Sequence, residues 1–444
     1  MLWPITTGIN AAGHLAIDGV DLVDLAREYG TPLYVYDEAT IRQRCRDHAA
    51  AFAKHYPQGR VVYAGKAYLS PAILAILKEE GTWLDVCSGG ELGLALRCGF
   101  PAERIIFHGN NKSPEELRQG VAAGLGVIVV DNMLELERIV AIGEELGKRT
   151  PIALRLNPGV EAHTHAYRQT GLVDSKFGFP TVDDQAERAV ALTLASPSVE
   201  LRGFHAHIGA HIFELDPYRA AIRVLCNFAA QMRDRHGYVA SEISPGGGIA
   251  ISYMPNEEDK ETPLDELGWM IGQTLRACSA EHNLPEPGTW IEPGRGIVGQ
   301  AGVVLYTVGA IKDIPGIRRY IAVDGGMGDN IRPALYEAEY IAALAERPRG
   351  YNIPGAEPLD GTLTNSRIVG KFCESGDFLI REIMMPEVAP GDILAMPAAG
   401  AYHLMMASNY NLVYRPAVVF IRDGQARLVR RRETLDDLIA AEIM

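Results

Sequence analysis

The chain has 444 residues, 47% of them hydrophobic, and its 42 basic against 56 acidic side chains leave a formal net charge of −14. No block of Lys and Arg is long enough to follow a phosphate backbone, so no nucleic acid partner is expected, and the acidity reads as solubility. The start, Met1-Leu2-Trp3-Pro4-Ile5-Thr6-Thr7, lacks the charged-then-apolar order of a signal peptide, and no apolar run approaches the ~18 to 20 residues of a membrane span. Six cysteines (Cys45, Cys87, Cys98, Cys226, Cys278 and Cys373) are scattered without paired metal spacing. The expectation is a cytoplasmic protein with reduced thiols, no membrane association and no bound metal.

In chain order, Pro32-Leu33-Tyr34-Val35-Tyr36 is an apolar strand succeeded by a helical stretch from Glu38 to Lys54, and it leads either into a barrel or into a later β domain. Eight short apolar runs come next, each stopping at a polar or glycine-rich cluster. The first four read Val61-Val62-Tyr63-Ala64-Gly65-Lys66, Trp83-Leu84-Asp85-Val86-Cys87-Ser88, Arg104-Ile105-Ile106-Phe107-His108-Gly109-Asn110 and Val127-Ile128-Val129-Val130-Asp131. The others are Ile152-Ala153-Leu154-Arg155-Leu156-Asn157-Pro158, Gly203-Phe204-His205-Ala206-His207, Glu242-Ile243-Ser244-Pro245-Gly246-Gly247-Gly248 and Trp290-Ile291-Glu292-Pro293-Gly294-Arg295. Helical periods such as Pro71 to Glu80 and Pro114 to Gly124 separate them, the alternation expected of a (β/α)8 TIM-type barrel of α/β class. Chemistry in such barrels sits at the carboxyl ends of the strands, where Lys66, His108, Asn157, His207, Gly246 to Gly248 and Glu292 fall.

Beyond Glu292 the texture changes to strand-like pieces, Gly302 to Val308, Arg319 to Val323, Gly391 to Ala395, Pro416 to Ile421 and Ala426 to Arg430, which predict a mostly antiparallel β domain. The stretch Met254 to Leu264, rich in Glu, Asp and Pro, reads as a mobile surface loop.

Lys66 at a strand end is either a solvated charge or an amine desolvated towards a nucleophile or imine. Gly246-Gly247-Gly248 is either a tight turn or a set of amides converging on a phosphate. Glu292 with Arg295 is either an ion pair or a carboxylate for a pyridine nitrogen, which keeps that ring an electron sink. His205 and His207 share one face of a strand, which raises a metal site, a core histidine, or an imidazole stacked on a cofactor ring, the last favoured for His207. Asp324 to Pro333 and Cys373-Glu374-Ser375-Gly376-Asp377 are polar, glycine-punctuated segments offering a thiol acid and charges suited to an amino acid.

Together and in this order, from about Thr31 to Pro416, these segments resemble the fold type III pyridoxal-phosphate-dependent decarboxylases. The likeness is strongest to the branch that converts meso-2,6-diaminopimelate to L-lysine. Besides Lys66, Gly246 to Gly248 and Glu292 to Arg295, it is carried by Asp85 to Leu92, His108 to Ser113, Arg155 to Val160, Ser175-Lys176-Phe177-Gly178, Asp324 to Tyr336, Cys373 to Asp377, Gly400-Ala401-Tyr402 and Ser408-Asn409-Tyr410-Asn411. The resemblance implies a barrel over residues 37–295 and a β domain from residues 1–36 and 296–444 that completes the active site. It implies pyridoxal 5'-phosphate as cofactor, with Lys66 as its Schiff base, His207 stacked on the ring and Glu292 on the ring nitrogen. Gly246, Gly247, Gly248, Pro293, Gly294, Arg295 and Tyr402 would line the cofactor. Arg295, Arg332, Tyr336, Glu374 and Tyr402 would bind the far end of the substrate, Cys373 would return a proton to the substrate carbon, and a homodimer would share its active sites.

One departure is that the family usually has Ser and Gln where this chain has Ala210 and His211, which removes a hydroxyl from the phosphate site, a loss of about 0.5 to 1.5 kcal/mol for one hydrogen bond. The rival readings are a relative in the same fold acting on ornithine, arginine, carboxynorspermidine or a siderophore precursor, a silent regulatory relative, and a metal-dependent hydrolase built on His205 and His207. Arg332 and Glu374 favour the diaminopimelate branch, because a distal carboxylate needs a cation that a plain diamine precursor does not.

Overall fold

A computed structural model describes residues 2–160 and 174–443. The backbone divides into two compact units, Cys45–Ala250 with Thr262–Gly294, and Met1–Arg44 with Ile251–Glu261 and Arg295–Met444.

The first unit carries the eight apolar runs as strands Gly59–Ala64, Trp83–Val86, Ile105–Phe107, Val127–Val130, Thr150–Asn157, Val199–His205, Glu242–Ser244 and Thr289–Glu292. Neighbours pair in parallel around the ring, as continuous apolar strands covered on both faces require. Closure occurs at a broken strand. Glu242–Ser244 pairs with Val199–His205, Pro245 interrupts, and Gly246–Gly247 pairs on the other side with Thr289–Glu292, helped by a bridge between Glu242 and Gly288. The interior is filled by Val62, Ile106, Val127, Val129, Ala153 and Trp290, all at most 3% exposed, the Val and Ile side chains each contributing roughly 1.5 to 3 kcal/mol on burial.

Local signals after each strand explain where the chain turns into helix. Ser70, Ser88, Ser113 and Asn132 each accept the backbone N–H three residues on, capping Pro71–Glu79, Gly89–Arg97, Pro114–Ala123 and Met133–Leu146. Ser113 and Glu116 complete a capping box, and Pro71 and Pro114 occupy the first helical position, where no N–H is needed.

The second unit is a sheet ordered Phe378–Met385, Thr364–Val369, Arg318–Val323, Gly302–Ile314, Leu33–Asp37, Ala417–Arg422 and Gln425–Arg430, with Ile393–Met396 also on Gly302–Ile314. The N-terminal strand Leu33–Asp37 belongs to this sheet, antiparallel to Gly302–Ile314 and parallel to Ala417–Arg422. Most pairings are antiparallel; the one between Arg318–Val323 and Thr364–Val369 is also parallel. Its core joins Leu15, Ile17, Leu22, Leu33, Val35, Val303, Leu305 and Val419, each fully buried.

The stretch from Met254, expected as a mobile loop, is a short 3-10 helix, Pro255–Lys260, held down at several points. Glu257 accepts the N–H of Tyr253 at 2.8 Å, and Glu261 accepts the N–H of Ser252 and the amide of Gln300, both at 2.6 Å. These acidic residues satisfy backbone donors and leave Tyr253 buried. Among the described residues no helix is long and apolar enough to cross a membrane.

Candidate active site

The carboxyl ends of the barrel strands bring together Lys66, Asp85, His108, Arg155, His205, His207 and Glu292. At their centre is Glu292, 6% exposed, whose Oε1 takes the indole N–H of Trp290 at 2.8 Å. The same oxygen lies 2.9 Å from His205 Nε2 and 3.2 Å from His108 Nε2, although neither imidazole N–H is aligned on it for a full hydrogen bond. Burial would push the Glu292 carboxyl up, but the two imidazoles outweigh it and hold the group well below the usual range. His205 is itself driven down to about 4 by burial, so at neutral pH the arrangement is a carboxylate set against a neutral imidazole.

His207 is half-buried. Its Nδ1 accepts the N–H of Gly247 at 3.2 Å, so in the neutral ring the proton sits on Nε2. Burial, then the charges of Lys66 and Arg155, hold its pKa well below the ordinary value.

Lys66 comes after its strand in a single 3-10 turn, Gly65–Ala67, and is exposed rather than desolvated by neighbouring side chains. Its charge reaches Asp85, Cys87, Glu91 and His207, which places the amine at the mouth. The adjoining backbone is fixed by the Pro293 carbonyl, which accepts the N–H of Ala64 at 3.3 Å, and by Gly294, where a Cβ would stand 2.9 Å from that of Ala67.

The glycine run is built differently from a simple amide cradle. Gly246 donates to Ser244 Oγ at 3.1 Å and Gly247 to His207 Nδ1 at 3.2 Å, and the parallel pairing of Gly247 with Glu292 turns the Gly248 N–H towards the Glu292 carbonyl. Gly246 has φ +78°, and a Cβ there would meet the Ala206 carbonyl oxygen at 2.3 Å, so the position requires glycine.

The metal reading of His205 and His207 finds the two rings engaged in opposite ways, one on Glu292 and one on Gly247. Among the described residues the group of ligating atoms lying within 4.8 Å of one another is His108, His205 and Glu292. His211, at φ +65°, sets its ring 5.0 Å from that of Phe213.

The second unit holds another cluster. Arg332, 2% exposed, has Tyr253 and Tyr340 over its guanidinium at 4.6 and 5.5 Å, and among the described residues no carboxylate pairs with it. Arg295, 7% exposed, lies 5.5 Å from the ring of Tyr253 and 5.3 Å from that of Tyr402. Tyr402 is half-buried with φ +63°, a backbone state costing about 1 to 3 kcal/mol for a bulky residue and concentrated at ligand sites. Tyr336 is half-buried, while Cys373 and Glu374 are exposed, Glu374 Oε1 accepting the hydroxyl of Tyr410.

Sequence reasoning missed the placement of His108 and His205 against Glu292, and missed Tyr253, Tyr340 and His403 beside Arg332. The available signals were His108 at a strand end and His403 next to Tyr402.

The barrel residues fit pyridoxal phosphate on their own terms. A pyridine nitrogen kept protonated needs a carboxylate that stays ionised, which Glu292 does; an aldehyde needs an accessible amine, which Lys66 offers.

Comparison with known proteins agrees. The family model "Pyridoxal-dependent decarboxylase, pyridoxal binding domain" matches residues 38–299. Diaminopimelate decarboxylase of Bacillus subtilis is 46% identical over 438 residues, covering 99% of this chain and 97% of that protein. The enzyme of the same name from Mycobacterium tuberculosis is 44% identical over 455 residues, covering 100% and 98%. The crystal structure of diaminopimelate decarboxylase from M. jannaschii in complex with L-lysine superposes with a TM-score of 0.90 at 32% identity, covering 100% of this chain and 99% of that one. On barrel, site and relatives together, the chain belongs to the diaminopimelate decarboxylase family of pyridoxal-dependent decarboxylases.

Proposed function

We propose that this protein decarboxylates meso-2,6-diaminopimelate to L-lysine and CO2 with pyridoxal 5'-phosphate as cofactor, the last step of lysine biosynthesis by the diaminopimelate route. The observation that carries the choice of substrate is Arg332, a buried guanidinium with no carboxylate partner among the described residues. An uncompensated buried cation is costly, and an anionic group of the substrate relieves it.

When bound, pyridoxal phosphate supplies an electron sink for the pair released from the Cα–carboxylate bond. Lys66 holds the cofactor through its amine, and its exposure leaves that amine accessible to exchange. Glu292 keeps a proton on the ring nitrogen. His207, neutral and pinned by Gly247, offers a flat face to the ring. Gly246, Gly247, Gly248, Pro293, Gly294, Arg295 and Tyr402 line the cofactor, the glycine run and Tyr402 at its phosphate. Arg295, Arg332, Tyr336, Tyr402 and Glu374 hold the amino-acid end that does not react, the two guanidiniums reading a carboxylate and Glu374 an ammonium. Cys373 returns a proton to the reacting carbon. Residues 37–295 act as the cofactor-binding domain and residues 1–36 and 296–444 as the domain completing the site, in a homodimer of cytoplasmic location.

The test is release of CO2 and amine by purified protein loaded with pyridoxal phosphate and offered meso- and LL-diaminopimelate, lysine, ornithine, arginine and carboxynorspermidine in parallel. Lysine from the meso compound alone is expected. Turnover of another substrate instead would move the protein to a different branch of the fold.

A further inference from the structure

Arginine carries only donors, so the tyrosine that accepts from Arg332 must send its own proton elsewhere. Arg332 Nη1 donates to Tyr340 Oη, and Tyr340 Oη lies 2.9 Å from His403 Nε2, which therefore accepts. His403 is fully buried, and that burial, with the charges of Arg332 and Arg295, keeps its ring neutral. A neutral ring accepting at Nε2 carries its proton on Nδ1, which donates to Tyr34 Oη at 3.3 Å. Tyr34 then donates to Asp329, whose Oδ2 and carbonyl oxygen each lie 3.1 Å away. Asp329 also accepts the hydroxyl of Tyr306 at 2.6 Å and the N–H of Gly326 at 2.9 Å. Every hydrogen has one consistent direction, from the guanidinium to the carboxylate, and every member is at most 5% exposed.

We propose that Tyr340, His403 and Tyr34, anchored on Asp329, form a relay of positioning residues that orients the Arg332 guanidinium for the substrate's distal carboxylate. This rests on the proposed assignment of that carboxylate to Arg332. The relay supplies Arg332 with a remote counter-charge through polarised hydrogen bonds, while keeping any carboxylate out of direct contact with it. A guanidinium so fixed has lost its rotamer freedom before the ligand arrives, which favours binding without adding a contact to the ligand.

The test uses wild-type, Tyr340→Phe, His403→Gln and Arg332→Gln holoenzymes, measuring kcat and KM for meso-diaminopimelate and competitive inhibition by L-lysine and by cadaverine. L-lysine retains the distal carboxylate and cadaverine lacks it. Tyr340→Phe and His403→Gln are each expected to raise KM and the lysine inhibition constant about tenfold, the size of one lost hydrogen bond to a charged group, with cadaverine inhibition unchanged. The double variant should fall short of the product of the two, because both act on one relay. Equal weakening of lysine and cadaverine, or of neither, overturns the relay. If Arg332→Gln also treats the two ligands alike, the reading of Arg332 itself fails; if Arg332→Gln loses lysine selectively and the relay variants do not, only the relay fails. Tyr34→Phe, which removes a single hydroxyl, serves the same comparison should a bulkier change prevent folding.

Discussion

His205 Nε2 stands 2.9 Å from Glu292 Oε1, yet the imidazole remains neutral because burial outweighs the carboxylate. This neutrality sets the sign of a pH dependence. The unfolded ring protonates near its ordinary value of 6.5 and the folded one only near 4, so below 6.5 the unfolded state binds the extra proton. Stability contributed by His205 is present above that pH and falls by about 1.4 kcal/mol per pH unit as the pH drops towards 4. Glu292 is ionised in both states over most of this window and does not offset the change. Denaturant melts of wild type and His205→Gln between pH 7 and 4.5 should show a steeper acid loss for wild type; parallel curves would refute the neutral assignment.

Replacing Glu292 with Gln removes the charge and retains the shape. Turnover at saturating cofactor should fall by about 10²- to 10³-fold, the range found when one electrostatic partner of a reacting group is lost. Steady-state kcat decides the matter, and a variant within tenfold of wild type would remove Glu292 from the chemistry.

Lys66→Ala should abolish turnover. Borohydride treatment of the wild-type holoenzyme and subsequent peptide mass analysis should find the cofactor mass on the peptide containing Lys66. Its appearance on another lysine would reassign the attachment site.

Gly246→Ala would force an unfavourable φ of +78° and set a methyl 2.3 Å from the Ala206 oxygen. A loss of about 3 kcal/mol or more is expected from strain and overpacking together. Gly8→Ala, with nothing within 4 Å of the added carbon, should stay within about 0.5 kcal/mol. Thermal melts of the two variants provide the comparison.

Lys112 is buried with Glu135 at 2.7 Å and also donates to the carbonyls of Gly109 and Val129 at 2.8 Å. Lys112→Met leaves a buried carboxylate unpaired and should cost about 3 to 5 kcal/mol, whereas Lys112→Met with Glu135→Leu should recover much of that loss. A single variant as stable as the double would show that the pair carries no such coupling.

The barrel was legible because its strands are covered on both faces and therefore read as unbroken apolar runs. Trp83-Leu84-Asp85-Val86 and Val127-Ile128-Val129-Val130 appear as the strands Trp83–Val86 and Val127–Val130 without a shift. The order of polar strand ends also carried the family. Two things stayed hidden for physical reasons. The relay joins residues 34, 329, 332, 340 and 403, which meet only after sheet pairing brings distant segments together. The stretch after Met254 looked mobile from its Glu, Asp and Pro content, but Glu257 and Glu261 spend their charge on backbone amides. The engagement of Gly246 and Gly247 likewise depends on Ser244 and His207 being close in space, and composition does not encode it.

The interruption at Pro245 has a thermodynamic corollary. The two-residue strand after it is the seam of the ring, and it lies within the glycine run proposed to hold the phosphate. A ligand held there binds only the chain whose seam is shut, so occupancy stabilises the closed ring by RT ln(1 + [L]/Kd), about 2.7 kcal/mol at a hundredfold excess over Kd. On the proposed assignment of these glycines to the cofactor, its loading and the integrity of the barrel are one linked equilibrium, with the recognising atoms acting also as a mechanical clasp.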